Sequence, residues 1–372
     1  MPNRAKCHWT GLAGHATISL VQIDFWEVWV SSKRARIEDV ALAARVSTQT
    51  VSRVLNNRPE VLPATRQRVL DAMTLLGYEP SLFARGLAGS KSHIIGMIAE
   101  DLSEPMMAHF IAALELEAKR HGYFLLVSSN INPDPQHPIH TRMLASSHVD
   151  GILFSRLGEG EQEKTYLQEL LAKNIPLVAL GDWPGTAGKI SSVALDEVDG
   201  GYRATRHLLE LGHRQIGMLT GPMHNSAARG RAQGYEQALQ EFGLTLDPEL
   251  VVAGDWTFGS GFLGAMALLK QRPNLSAVFC QNDRMAIAAL QAFQQNGKHV
   301  PDDISLVGFD DIPDAAYTNP ALTTMRQSTD EIGRVAVELM FKKIEQPNAP
   351  LQHIEVKAAL VERASCCPKR TP

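Results

Sequence analysis

Cysteine is scarce in this 372-residue chain: Cys7, Cys280, Cys366 and Cys367 are the whole set, and they make no metal-ligand spacing. The adjacent Cys366 and Cys367 form a disulfide poorly, so a reducing cytoplasm is the expected compartment. No segment offers 18 uncharged apolar residues, which argues against a membrane span. The apolar part of the first thirty residues, Ala16 to Val30, is broken by Asp24 and Glu27 and lacks a small-residue cleavage site, so export is disfavoured. The fingerprints GxSxG, GxxxxGKS or GxxxxGKT, and HExxH are all missing. His137 and His140 sit alone in a Pro-rich stretch, and neither a metal nor another cofactor is expected.

What is present is a chain with 44% hydrophobic residues, long enough for a substantial core and two or three domains. The net charge of −4 hides an asymmetry: residues 31–91 carry +5, residues 92–372 carry −9 and residues 1–30 balance. A small basic segment joined to a large acidic body suits polyanion binding at one end.

The basic segment reads as three short helices. Ile37, Val40, Ala41 and Ala44 follow an amphipathic spacing, Arg45-Val46-Ser47 turns, and Ser47 is placed to cap a helix beginning at Thr48. On that second helix Val51, Val54 and Leu55 fall on one side, and Thr48, Gln49, Ser52 and Arg53 on the other. Short hydroxyl and amide groups beside a guanidinium are the groups that read base edges. A third helix runs from about Pro63 to Leu76, with Val69, Met73 and Leu76 inward, and stops at Gly77. The pattern is a helix-turn-helix module.

The stretch "RIEDVALAARVSTQTVSRVLNNRPEVLPATRQRVLDAMTLLGYEPSLFARGLAGSKS" closely resembles the DNA-binding head of the LacI/GalR family of transcriptional regulators, and the resemblance runs from about residue 36 to 365. It implies that Thr48, Gln49 and Arg53 face the bases, within a DNA-binding set of Thr48, Gln49, Thr50, Ser52, Arg53 and Asn56, joined by Arg85 and Leu87 in a hinge. It also implies that Leu87 of each of two subunits wedges into the minor groove, although Leu87 could instead pack on the body. Gly86 disfavours a hinge helix off DNA by about 1 kcal/mol. Arg45 stands where the family usually has Gly, and a left-handed backbone there costs a non-Gly residue roughly 1 kcal/mol. Residues 1–30 match nothing in the family, and Val30 is expected to mark the native start; the intact mass of the native protein tests this.

From His93 on, "HIIGMIAED", "YFLLVSSN", "DGILFS", "IPLVALGD", "QIGMLTG", "AVFCQND" and "ISLVGFDD" alternate with helix-length segments, which gives an α/β class with mostly parallel sheets. Nearly all end in polar residues that point into a cleft at the strand carboxyl ends. The resemblance implies two subdomains like those of periplasmic sugar-binding proteins, with crossovers near 195, 327 and 357 and a sugar effector between them. The expected domains are a non-native or disordered extension over 1–30, the head over 31–79, the hinge over 80–92, the effector-binding and dimerisation domain over 93–366, and a tail over 367–372. No heptad-bearing tail follows "VERAS", so a homodimer is expected rather than a tetramer.

Effector-binding candidates are Ser103, Asp182, Arg229, Trp256, Asn282, Asp283, Asp310 and Gln327. Arg229 matches a family effector-binding arginine, Asp310 the ligand-binding carboxylate and Trp256 a tryptophan whose indole covers a sugar face. Asp311 could serve in place of Asp310, and Asp283 could merely cap the helix after it. Two other classes remain as alternatives. Gly259-Ser-Gly261-Phe-Leu-Gly264 fits GxGxxG and would suit an NAD-dependent enzyme, but four residues separate it from the nearest hydrophobic run. A stand-alone sugar-binding protein would need an export signal and has no use for a basic head.

Overall fold

A computed structural model describes residues 35–55, 58–78, 91–99, 102, 105–129, 149–155, 161–181 and 188–369. Residues 1–30, His137, His140, Asn56, Arg85, Leu87, Ser103 and Asp182 lie outside that set. The chain divides into two compact units, residues 1–84 and 85–372.

In the first unit, α1 spans Ile37–Ala44, α2 spans Thr48–Leu55 and α3 spans Pro63–Leu76. Val40, Ala41, Ala44, Val51, Val54, Val69 and Ala72 form its core. Ala72, rather than Leu76, takes the inward place on α3, and Leu76 is exposed. The turn between α1 and α2 keeps the left-handed shape: Arg45 has φ 51° and ψ 50°, and Val46 N–H reaches back to the Ala41 carbonyl at 2.9 Å. Ser47 Oγ accepts from Thr50 N–H at 3.2 Å, capping α2. At the other end of α2, Arg66 donates to the carbonyls of Val54 and Arg58, a cation against a helix carboxyl terminus.

The second unit holds two sheets of six strands each among the described residues. The first contains β1 (Ile94–Ala99), β2 (Phe124–Ser129), β3 (Gly151–Phe154), β4 (Leu177–Leu180), β5 (Ser191–Leu195) and β11 (His353–Val356). The second contains β6 (Ile216–Thr220), β7 (Val251–Ala253), β8 (Ala277–Cys280), β9 (Ser305–Asp310), β10 (Thr323–Arg326) and β12 (Ala359–Val361). The orders, β2-β1-β3-β4-β5-β11 and β7-β6-β8-β9-β10-β12, repeat one topology, and every pairing is parallel except β10–β12.

Helices cover both faces, which is why the central strands are continuously apolar. In the first sheet α4 (Pro105–Arg120) and α10 (Thr329–Glu345) pack on one face with Ile95, Met97 and Val178, and α5 (Glu161–Ala172) packs on the other with Ile98, Ile152 and Phe154. In the second, α6 (Glu197–Glu210) and α7 (Ser226–Glu241) bury Phe279, Val307 and Phe309. Its opposite face carries α8 (Phe258–Gln271) and α9 (Asp283–Gln295), over Val278, Cys280 and Leu306. The chain passes between the sheets at Asp196, at Gln327–Ser328 and at Lys357–Ala358.

The GxGxxG glycines serve packing. A Cβ on Gly261 would come 2.4 Å from the Met285 backbone, and one on Gly264 would come 2.8 Å from Leu219, so both let α8 press against α9 and β6. Thr257, not a strand, precedes α8 and caps it through Ser260 N–H.

Candidate nucleic-acid interface and ligand cleft

On α2 the buried Val51 and Val54 fix the helix to the head, and that fixes what faces out. Thr48, Gln49 and Arg53 are exposed, and Ser52 is half-buried. Thr50 is tied into the cap, its hydroxyl 3.0 Å from that of Ser47. The outward face therefore presents an amide, a hydroxyl and a guanidinium within two turns, free of carboxylates, as base-edge contacts require.

In the second unit a cavity of about 350 Å³ opens between the two sheets at their strand carboxyl ends. Its lining comes from both subdomains, with Phe110, Leu180 and Gly181 on one side, Asn225, Ser226 and Gly230 on the other, and Asp196, Glu197 and Gln327 from the crossovers. That is where open α/β sheets take ligands.

Beside it stands Arg231, 4% exposed, at the centre of a polar network. Its Nε donates to Glu197 at 2.7 Å, its Nη1 donates to the Gln281 carbonyl and lies 3.8 Å from Asp310, and its guanidinium stacks 3.6 Å above the Phe309 ring. Trp256 lies 5.5 Å from the same guanidinium. Gln327 Nε2 donates to Asp310 at 2.7 Å, and Asn282 Nδ2 donates to the Trp256 carbonyl at 3.0 Å. Thus Trp256, Asn282, Asp310 and Gln327 come together around an arginine. Trp256 (φ 71°), Asp310 (φ 116°) and Asp311 (φ 58°) all hold positive φ, a strained backbone of the kind that collects at ligand sites.

Three assignments need correction. Arg229 is not at this cleft: it is exposed, on the opposite face of α7, and donates to the carbonyls of Met223 and His224. Residues two positions apart on a helix point about 200° apart, so only one arginine of the pair can face inward. The inward one is Arg231, because Gly230 and Gly234 on its side let α7 approach α6: a Cβ on Gly234 would meet the Val198 carbonyl at 2.1 Å. The clue in the sequence was that glycine pair, not the arginine itself.

Asp283 is neither a cleft ligand nor the helix cap. It is fully buried, accepting from Ile312 N–H at 2.9 Å and from the Thr324 hydroxyl at 2.6 Å, and it ties α9 to β10 and to the turn that follows β9. Burial, reinforced by the nearby Asp310 charge, pushes its carboxyl well above the usual range. Asn282 is the cap, accepting from Met285 N–H. Asp311 likewise cannot replace Asp310, since Arg326 and Arg363 hold its two oxygens at 2.6 and 2.5 Å.

Among the described residues no helix is long and apolar enough to cross a membrane, and no three His, Cys, Asp or Glu side chains converge for a metal. Residues 36–81 match the profile described as "Bacterial regulatory proteins, lacI family", and residues 205–366 match "Periplasmic binding protein-like domain". The chain is 37% identical over 334 residues to the HTH-type transcriptional repressor PurR of Proteus mirabilis, covering 89% of this chain and 96% of that one. It is 34% identical to the ribose operon repressor of Haemophilus influenzae, covering 89% and 98%. Among solved structures, the Lac repressor dimer bound to operator and the anti-inducer ONPF superposes with a TM-score of 0.80 at 30% identity, over 90% of this chain and all of that one. A CelR–cellobiose complex gives 0.69 at 31% identity, over 89% of this chain and all of that one. With a helix-turn-helix head, a paired α/β body and relatives matched over nearly their whole length, the chain belongs to the LacI family and is a DNA-binding transcriptional regulator with an effector-binding domain.

Proposed function

We propose that the protein is a cytoplasmic, homodimeric repressor of carbohydrate-utilisation genes, not an enzyme, and that a sugar or sugar derivative in the cleft sets its grip on a near-palindromic operator. The observation that carries this reading is the network around Arg231. A guanidinium donates to sugar hydroxyls, the Asp310 carboxylate accepts from them, Gln327 and Asn282 do either, and the indole of Trp256 covers an apolar C–H face. The cellobiose and ribose named for two relatives support the sugar class. Ser103 and Asp182 are proposed to add contacts from the first subdomain.

At the DNA, Arg53 suits a guanine O6/N7 pair and Gln49 an adenine N6/N7 pair, with Thr48, Thr50, Ser52 and Asn56 beside them and Arg85 and Leu87 at the operator centre. A sugar releases DNA only if it binds the free protein more tightly than the operator-bound one. The test is a thermal-shift screen of sugars and phosphorylated sugars. A ligand at 100 times its Kd stabilises the fold by about 2.7 kcal/mol. The account expects at least one sugar to act on the native protein and to lose its effect in Arg231→Lys; a shift unaltered by that substitution defeats the assignment.

A further inference from the structure

A second cavity, about 430 Å³, lies on the outer flank of the second subdomain, between α7 and the β6–β7 edge. Arg229 lines it, together with an apolar wall that includes Met218, Met223, Leu246 and Val251. Thr220, at the end of β6, also lines it. The residue is 1% exposed, and its hydroxyl has no hydrogen-bond partner among the described residues. Buried hydroxyls are nearly always paired, so an orphan beside a cavity points to something the cavity takes. Arg229 adds a second, independent sign. Its Nη1 is held by the Met223 and His224 carbonyls, which fixes the guanidinium, while Nε and Nη2 have no partner among the described residues.

We propose that this cavity binds a small aromatic carboxylate bearing one further polar group. The carboxylate lies on the two remaining nitrogens of Arg229, a charge-assisted pair. The ring lies against Met223, whose polarizable sulfur favours aromatic contacts, and against the Val251 and Leu246 side chains, and the second polar group meets the Thr220 hydroxyl. Glu236, on the same lining, selects against a second negative charge. The site stands apart from the sugar cleft, because Arg229 and Arg231 occupy opposite faces of α7, and it does not depend on which sugar the cleft takes.

Titration calorimetry on the full chain tests this with 4-hydroxyphenylacetate, its neutral amide, and phenylacetate. The acid is expected to bind, the amide and the Arg229→Gln variant to be weaker by about tenfold, and Thr220→Val to erase the preference for the hydroxylated ring. Ala253→Leu, on the exposed edge strand, should block binding without touching the arginine. Arg231→Lys should leave it unchanged. No heat from the acid overturns the proposal. So does binding indifferent to Arg229→Gln and Ala253→Leu, or binding lost in Arg231→Lys, which would place the probe in the cleft. Thr220→Val with no effect on any of the three probes would mean that water alone pairs the hydroxyl, and would also overturn it.

Discussion

Replacing Arg231 by Met keeps the length and the apolar contact with Phe309 while deleting the charge. Glu197, Asp310 and the Gln281 carbonyl then lose their shared donor. Breaking a fully buried ion pair costs about 3–5 kcal/mol. Glu197 and Asp310 keep 21% and 14% of their side-chain surface in contact with solvent, so the loss belongs at the lower end, about 3 kcal/mol. In a body spanning residues 85–372 that lowers the melting temperature by about 5 °C. The control is Arg229→Met. That arginine is exposed and its bonds go to loop carbonyls, so its melting temperature should stay near that of the native chain. Differential scanning calorimetry without sugar reads both. Equal shifts in the two variants, or a larger one in Arg229→Met, would refute the reasoning that separates an inward from an outward arginine on α7.

Arg45→Gly relieves the left-handed turn between α1 and α2 and should stabilise the head by up to about 1 kcal/mol, read by urea titration; a loss of stability would show that the freedom glycine adds to the unfolded chain outweighs the relieved strain. His213 is buried between the Ser276 hydroxyl and the Cys367 carbonyl, and burial lowers its pKa below the ordinary histidine value. The unfolded chain therefore binds the proton more readily, so stability should fall as pH drops through about 6.5, and His213→Gln should flatten that slope. For Asp283 the sign reverses. Its raised pKa means that the folded state holds the proton more tightly than the unfolded one, so its contribution is present at low pH and declines as pH rises above about 4. Asp283→Asn should remove that decline, and an unaltered pH–stability curve would count against it.

The long apolar runs announced β1, β3, β4, β6, β8 and β9 because both faces of each are covered, which makes the run continuous. β2 was read from its run as well, although it alternates between exposed and half-buried positions, and the other strands were harder to see. β5 opens with two serines, β10 reads Thr-Thr-Met-Arg, and β11 and β12 are short and half-exposed, patterns that look like loops until a neighbouring strand supplies the partner. At the site, Asp310 was expected at a strand end and Trp256 through the family resemblance, and both stand beside Arg231. The arginine was not, because Arg229 and Arg231 share composition and differ only in helix face, which α6 decides through Gly230 and Gly234. Asp283 and Asn282 also could not be told apart by type: one carboxylate vanished under β9 and β10 while its neighbour became the cap.

Operator affinity measured by fluorescence anisotropy, with and without a sugar that stabilises the protein, tests the central claim most directly. The account predicts that the sugar changes operator affinity, that operator DNA changes sugar affinity by the same factor, and that Arg53→Ala costs about 1–3 kcal/mol on the operator but little on random DNA. Operator binding unchanged by every cleft ligand, or equal losses on both DNAs, would contradict it.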